Sequence, residues 1–319
     1  MKKLVKGICL LGVVALVATS CNKQETTAKV YRGVNFDETF VVETGNGFDG
    51  GRVYIDDNYR VSFEEGDLAM FFNVDDADAA NSQAALYKVT TAGNNPEFEP
   101  NQSDVTIDDE MMDAKYAFYP GQNVDKDQLA NENRAIFKLD PVQNYRAGKI
   151  SKDALYMAAK IDNADNDVFA FRNICGVLVM KFYSPSGKTV ENIAITDNNL
   201  NLTGDVTLKV NKVDPAELMD FFRNFDSATA AEIAALKDDL GYSVDVSGNT
   251  VTLDGINTTL GTTAADAETF YFVLRPLACM NGFDMVITFD DATTKTISTT
   301  RDNRIKPNTL RVFPALSVD

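Results

Sequence analysis

The sequence predicts an all-β fold built from antiparallel sandwiches, and three observations point that way. Short runs rich in Val, Ile, Thr, Tyr and Phe recur along the whole chain. Gly, Asn, Asp and Pro break them at short intervals, the punctuation of strands and turns. Helical periodicity does not alternate with these runs, which argues against a parallel α/β sheet.

In chain order, the expected strands begin with Val34–Glu43, Gly51–Tyr54, Leu68–Phe72, Ala85–Thr90, Lys115–Tyr119 and Ala135–Leu139. Val168–Phe171, Ile174–Tyr183, Val190–Ile195, Thr203–Val210 and Thr250–Leu253 follow. Thr269–Leu274, Phe283–Phe289, Thr294–Thr299 and Thr309–Phe313 complete the set. Within Ile174–Tyr183, Leu178, Met180 and Phe182 alternate with Val179, Lys181 and Tyr183, as in a strand with one face in a sandwich core. Residues 214–240 break the pattern as a small helical insertion. Asp214 stands as N-cap, Pro215 at the first helical position and Glu217 where a capping box closes. Leu218, Phe221, Phe222 and Phe225 then share one helical face. A second helix would run from Thr229 through Ile233, Leu236 and Leu240. Such a hairpin either binds a partner or packs on its own domain, and packing is the simpler expectation. The polar stretch "KIDNADNDVFAF" marks a domain junction near Asn163–Asp167, dividing 34–165 from 166–319. It lacks the glycine and final glutamate of a calcium loop and reads as a solvated turn.

The chain start carries an export signal. Lys2, Lys3 and Lys6 precede an apolar core, Gly7 to Val17, that is shorter than the roughly 20 residues a membrane-spanning helix needs. Ala18, Thr19 and Ser20 then lead into Cys21. Residues 1–20 are thus a signal peptide and 21–33 a polar tether. A cysteine after small residues resembles the lipobox of bacterial lipoproteins, whose cysteine is acylated, with Ala18 standing where Leu, Val or Ile is usual. Ordinary secretion, with Cys21 incidental, is the other reading. Lipidation would anchor the protein to a membrane.

Composition excludes several function classes. The formal net charge is −17, and loss of the signal lysines makes the remaining chain more acidic, so nucleic acid is not an expected partner. There is no His, which removes the usual Ser and Cys triads and His-containing zinc sites. Carboxylate pairs are abundant among 47 acidic residues, but none stands out as a hydrolase pair. No catalytic, cofactor-binding or metal-ligating residue is expected. Cys175 and Cys279 lie in apolar stretches where buried free thiols are common, though a bridge between them stays open.

Several stretches, in order, resemble the fimbrillin-like (Mfa-like) proteins of Bacteroidota. "GRVYIDDNYRVSFEEGDLAMFF" is similar to the family's N-terminal signature, with Phe63 where Trp is frequent, then Gly66 and Asp67. "DAKYAFYP", "PVQNYRAGKISKDALYMAAKI", "FRNICGVLVMKFYSPSGKTVENIAIT", "NLTGDVTL", "ETFYFVLRPLACMNGFDMVITF" and "RDNRIKPNTLRVFPAL" continue the match. The resemblance spans most of Phe36 to Asp319. It implies two tandem transthyretin-like β-sandwich domains and an outer-membrane lipoprotein acting as a type V pilus subunit or cell-adhesion protein. Its implied partners are other pilus subunits, the membrane through the lipid anchor, and a host protein or glycan. It further implies an Arg-specific cut that removes the N-terminal strand so that a neighbour's strand can take its place, with no cofactor and no enzyme activity. Arg52, in the glycine-rich "TGNGFDGGR", is the expected site. Arg32 in "KVYRGV" is the rival, where a cut would remove only the tether. "DSA" at Asp226–Ala228 resembles an O-glycosylation signal of this bacterial group, making Ser227 a candidate; helix capping is its plainer role. The alternative function is a surface glycan- or protein-binding lipoprotein that does not polymerise.

Overall fold

β3 (Leu68–Asn73) shows why many strands here read as unbroken apolar runs rather than alternating ones. Ala69 and Phe71 point into one core and Met70 and Phe72 into another, so both faces of "LAMFF" are buried. The computed structural model of the protein describes residues 29–35, 41–44, 63–73, 83–93, 95–101, 113–125, 134–151, 154–161, 168–209, 214–224 and 242–319. The expected signal peptide, Cys21, the strand expected at Gly51–Tyr54, Arg52, the junction expected at Asn163–Asp167, Ser227 and the expected second helix lie outside them.

The described chain is all-β apart from short helical pieces, as the sequence predicts. Seven strands are joined edge to edge into a closed barrel: β1 (Tyr31–Asn35), β10 (Val168–Asn173), β9 (Met157–Ile161), β6 (Tyr116–Tyr119), β3, β4 (Gln83–Thr91) and β5 (Glu97–Pro100), with β5 returning to β1. A second sheet runs β17 (Glu268–Leu274), β11 (Gly176–Tyr183), β20 (Thr309–Ser317) and β2 (Val41–Thr44). A third runs β19 (Thr294–Thr299), β18 (Phe283–Phe289), β12 (Thr189–Asp197), β15 (Thr250–Asp254) and β8 (Val142–Asn144), with β16 (Thr258–Thr259) also on β12. β14 (Tyr242–Gly248), β13 (Thr203–Lys209) and β7 (Arg134–Leu139) form a small fourth sheet.

Most pairings are antiparallel, as expected, but β1 with β10, β2 with β20, β11 with β20 and β8 with β15 are parallel. Parallel neighbours require long connections, so these four pairs tie distant parts of the chain together. Several cross the division expected at 165/166. β10 sits in the barrel between β1 and β9, whereas β2, β7 and β8 join sheets built mainly from residues after 176. The single N-terminal strand expected over Val34–Glu43 is instead two strands. Its two ends are recruited by different sheets, so no single ladder could hold the whole run.

Three hydrophobic cores stack across these layers. The barrel interior holds Tyr31, Phe63, Phe71, Tyr87, Phe98, Phe169 and Phe171. A middle core lies between the barrel's outer face and the second sheet. Met70 and Phe72 meet Phe137, Val177, Val179, Tyr271 and Val312 there. The third fills the space between the second and third sheets, where Leu178, Met180 and Phe182 face Ile193, Ile195, Met285 and Ile287. The alternation read in β11 is thus correct for this inner face, and Val177 and Val179 cover the other. The Gln143 amide ties β8 to β17: Nε2 donates to the Val273 carbonyl (2.6 Å) and the Val273 amide donates to Oε1 (3.0 Å).

The helix α1 (Pro215–Asn224) starts as its sequence suggests, with the Ala216 amide donating to Asp214 Oδ1 at 2.9 Å. Leu218 and Phe222, one turn apart, are buried in the middle core with Phe221 against it. The described part of the insertion therefore packs on its own molecule. No helix among the described residues is long and apolar enough to cross a membrane.

Candidate functional site

The N-terminal segment carrying β1 and β2 is the feature with the clearest capacity for change, because each strand completes a sheet made by chain far downstream. Tyr31 enters the barrel and is fully buried. Its ring stacks on Phe71 (centroids 4.8 Å apart, 8° between planes) and meets Phe169 edge-on at 5.2 Å. Its hydroxyl accepts a hydrogen bond from the Ala114 amide at 2.9 Å. Two residues on, Gly33 lies where a Cβ would come within 2.9 Å of the Phe98 ring and of Pro96, so this strand position admits little more than hydrogen. The Gly33 amide donates to the Pro96 carbonyl at 2.8 Å.

Arg32 points outward, its side chain 69% exposed and 3.6 Å from Glu97. Its backbone is another matter. Arg32 pairs with Glu97 of β5 on one side and Val168 of β10 on the other. A protease needs a single extended strand in its cleft, so the 32–33 bond is closed to cleavage while β1 is seated. The expectation that a cut at Arg32 would spare the strand is corrected accordingly: residues 31–33 belong to β1 rather than to a free tether, and cleavage there would split it.

β2 is the outer strand of its sheet and runs parallel to β20, with Val41 opposite Thr309 and Glu43 opposite Arg311. The Glu43 carboxylate contacts the Arg311 guanidinium and lies 3.4 Å from Lys306 Nζ. Sequence reasoning missed Tyr31, which it placed in the tether, and this ion group, whose members stand far apart in the chain and carry no local signal.

The remaining singled-out residues are structural. Phe63, at the position frequently held by Trp in the resembling family, is buried edge-on to Phe98, Tyr119 and Phe171. Asp67 accepts from the Glu64 amide (2.9 Å) and the Tyr119 hydroxyl (3.2 Å), so it holds the turn, as the Gly66-Asp67 dipeptide suggests. Asn173 donates through Nδ2 to Asn308 Oδ1 at 2.9 Å, joining the end of β10 to the start of β20.

Cys175 and Cys279 are buried and unbridged. Burial pushes the Cys175 thiol up to about 12. Burial, reinforced by the Asp197 carboxylate, pushes Cys279 up as well. The unfolded chain releases these protons near pH 9, whereas the folded chain keeps them. The Cys175 contribution to stability is therefore intact below about pH 9 and falls as pH rises toward about 12, and that of Cys279 falls in the same direction. Denaturant midpoints measured from pH 8 to 11 should decline less steeply in a Cys175→Ala variant than in the parent. Identical slopes would contradict this assignment.

Among the described residues no group of three or more Cys, Asp or Glu is placed to hold a metal ion. No protein-family model matches the chain, and no curated protein matches it. Similar solved structures include a candidate cell adhesion protein from Bacteroides uniformis, with 10% identity, 91% of this chain and 93% of that chain covered, and a TM-score of 0.48. A candidate cell adhesion protein from Bacteroides ovatus gives 12%, 80%, 83% and 0.46 for the same measures. A fimbrial protein from Bacteroides ovatus gives 12%, 89%, 48% and 0.33. Overlaps this loose do not assign a role.

Proposed function

We propose that the protein is an exported surface lipoprotein, acylated at Cys21, that serves as a fimbrial subunit or cell-adhesion protein. Its subunits would join by strand exchange after loss of the N-terminal strands. One observation carries the proposal: a single N-terminal segment closes the barrel with β1, parallel to β10 and antiparallel to β5, and extends the second sheet with β2, parallel to β20. Losing it would leave β5 and β10 facing a gap and bare one edge of β20. Each bared edge is a row of unmet amides and carbonyls, the template on which a strand from another subunit is added. The ordered sequence resemblance to the fimbrillin-like family, in which such exchange is expected, supports the same role.

Cleavage after Arg52, downstream of Thr44, would release β1 and β2 together. Cleavage at Arg32 would not release β2. N-terminal sequencing of protein recovered from the cell surface tests the proposal. A product starting at Val53, absent in an Arg52→Ala variant that also fails to assemble, is the expected result. Assembled protein that still carries acylated Cys21 would overturn strand exchange and favour a binding lipoprotein that does not polymerise. The anchor is tested separately: Cys21→Ala should move the precursor from the membrane fraction to the soluble fraction.

A further inference from the structure

Resting on the strand-exchange reading above, we infer that the β20 edge selects its incoming strand by charge, admitting a parallel strand with a carboxylate in register with Arg311. The observation behind this is the ion group under β2. Arg311 and Lys306 are largely covered, with side chains 10% and 22% exposed, and Glu43 at 27% meets both. The neighbouring cation is committed elsewhere: Arg304 Nε lies 3.1 and 2.9 Å from the two oxygens of Asp302, and Arg311 also donates to the Arg304 carbonyl at 3.1 Å. Asp302 also interacts electrostatically with Arg311, and Glu43 is the carboxylate that β2 itself brings to Arg311 and Lys306 across the sheet.

When β2 leaves, its ladder and this carboxylate leave with it. A replacement strand can restore the ladder whatever its side chains, since the ladder is backbone. An acidic residue opposite Arg311 restores the ion pairs to Arg311 and Lys306 as well. A neutral side chain there withholds the carboxylate that β2 supplied to these two largely covered cations, and a basic one adds repulsion, which is how interfaces reject wrong partners. The partner is therefore an extended acidic strand from a second subunit.

The test uses the full chain with a specific protease site inserted between Thr44 and Phe63 and cut once, so that residues 29–44 are no longer tied to the sheets they complete and can be replaced. Labelled synthetic peptides of residues 29–44 are offered, with Glu43, with Glu43→Gln and with Glu43→Lys. The native peptide should exchange in, the Gln form should bind roughly tenfold more weakly and the Lys form about a hundredfold more weakly. Added salt should narrow the gap, and Arg311→Gln in the receiving chain should shrink it further. Gln or Lys forms that bind as well as the native peptide would overturn charge selection while leaving strand exchange standing. If no peptide exchanges, the strand-exchange reading fails and this inference fails with it.

Discussion

Replacing Asp197 with alanine is expected to cost about 3–5 kcal/mol, enough to unfold the second and third sheets in moderate denaturant. The carboxylate is almost fully buried and is held by three backbone amides: Oδ1 accepts from Asn199 (2.7 Å) and Leu200 (2.6 Å), and Oδ2 from Cys279 (2.5 Å). Removing it leaves the buried Cys279 amide unmet, at about 1–3 kcal/mol, takes the acceptor from the partly buried amides of Asn199 and Leu200, and empties the space the carboxylate filled. The loop it holds needs the support. Leu277 and Cys279 both lie in the left-handed region, with φ of 69° and 64°. Gly282, at φ 82°, closes the same turn where an added Cβ would strike the Thr299 carbonyl. Asp197→Asn keeps an acceptor for one side and turns an NH2 toward a donor on the other, so it should fall between alanine and the parent. Guanidinium unfolding curves measure both. A loss below about 1 kcal/mol for the alanine variant would show that the loop stands without its clasp.

Tyr31→Ala is the second large effect, expected at about 3–5 kcal/mol by analogy with buried aromatic truncations. The ring sits at the centre of a cluster with Phe71, Tyr87 and Phe169, all with centroids within 5.2 Å of it. Removing it leaves a cavity inside the barrel and an unmet Ala114 amide. The consequence reaches beyond global stability, because Tyr31 is the anchor that keeps β1 seated. With it gone, the backbone at Arg32 should open often enough for an arginine-specific protease to cut there, a bond that stays intact in the parent. Tyr31→Phe retains the ring and loses one hydrogen bond, at about 1 kcal/mol, and should remain resistant. Equal resistance at Arg32 in the alanine variant would sink the claim that Tyr31 holds the strand.

Much of the fold was legible because strand signals are local. Phe283–Phe289 and Thr294–Thr299 have the bounds their apolar and β-branched runs suggest, and α1 begins at the cap read in Asp214-Pro215. What failed was everything that depends on partners. Val34 through Val42 carries apolar residues at intervals that suit one strand, yet its ends pair with β10 and β20. Periodicity reports that a run is extended; it says nothing about which sheet takes it. β9, "MAAKI", is rich in Ala, which fills the tight space between β6 and β10 without announcing a strand. β14 shows itself in the alternation of Tyr242, Val244 and Val246, but it adjoins the helical insertion and is not among the expected strands. The Glu43–Arg311 pair lay wholly beyond a sequence reading, since opposite charges far apart in an acidic chain meet only once the sheet is built.

The parallel pairing of β2 with β20 also fixes how the molecule would answer a pull. Tension drawn out through the start of β2 and the end of β20 acts along both strands in opposite directions, so the ladder between them is loaded in shear. Every hydrogen bond in it stretches at once, together with the ion pair of Glu43 and Arg311, instead of opening singly from one end as a hairpin pulled apart at its tips would. β1 against β10 has the same geometry. A strand seated in either place would be released readily by cutting the chain, and only with difficulty by force.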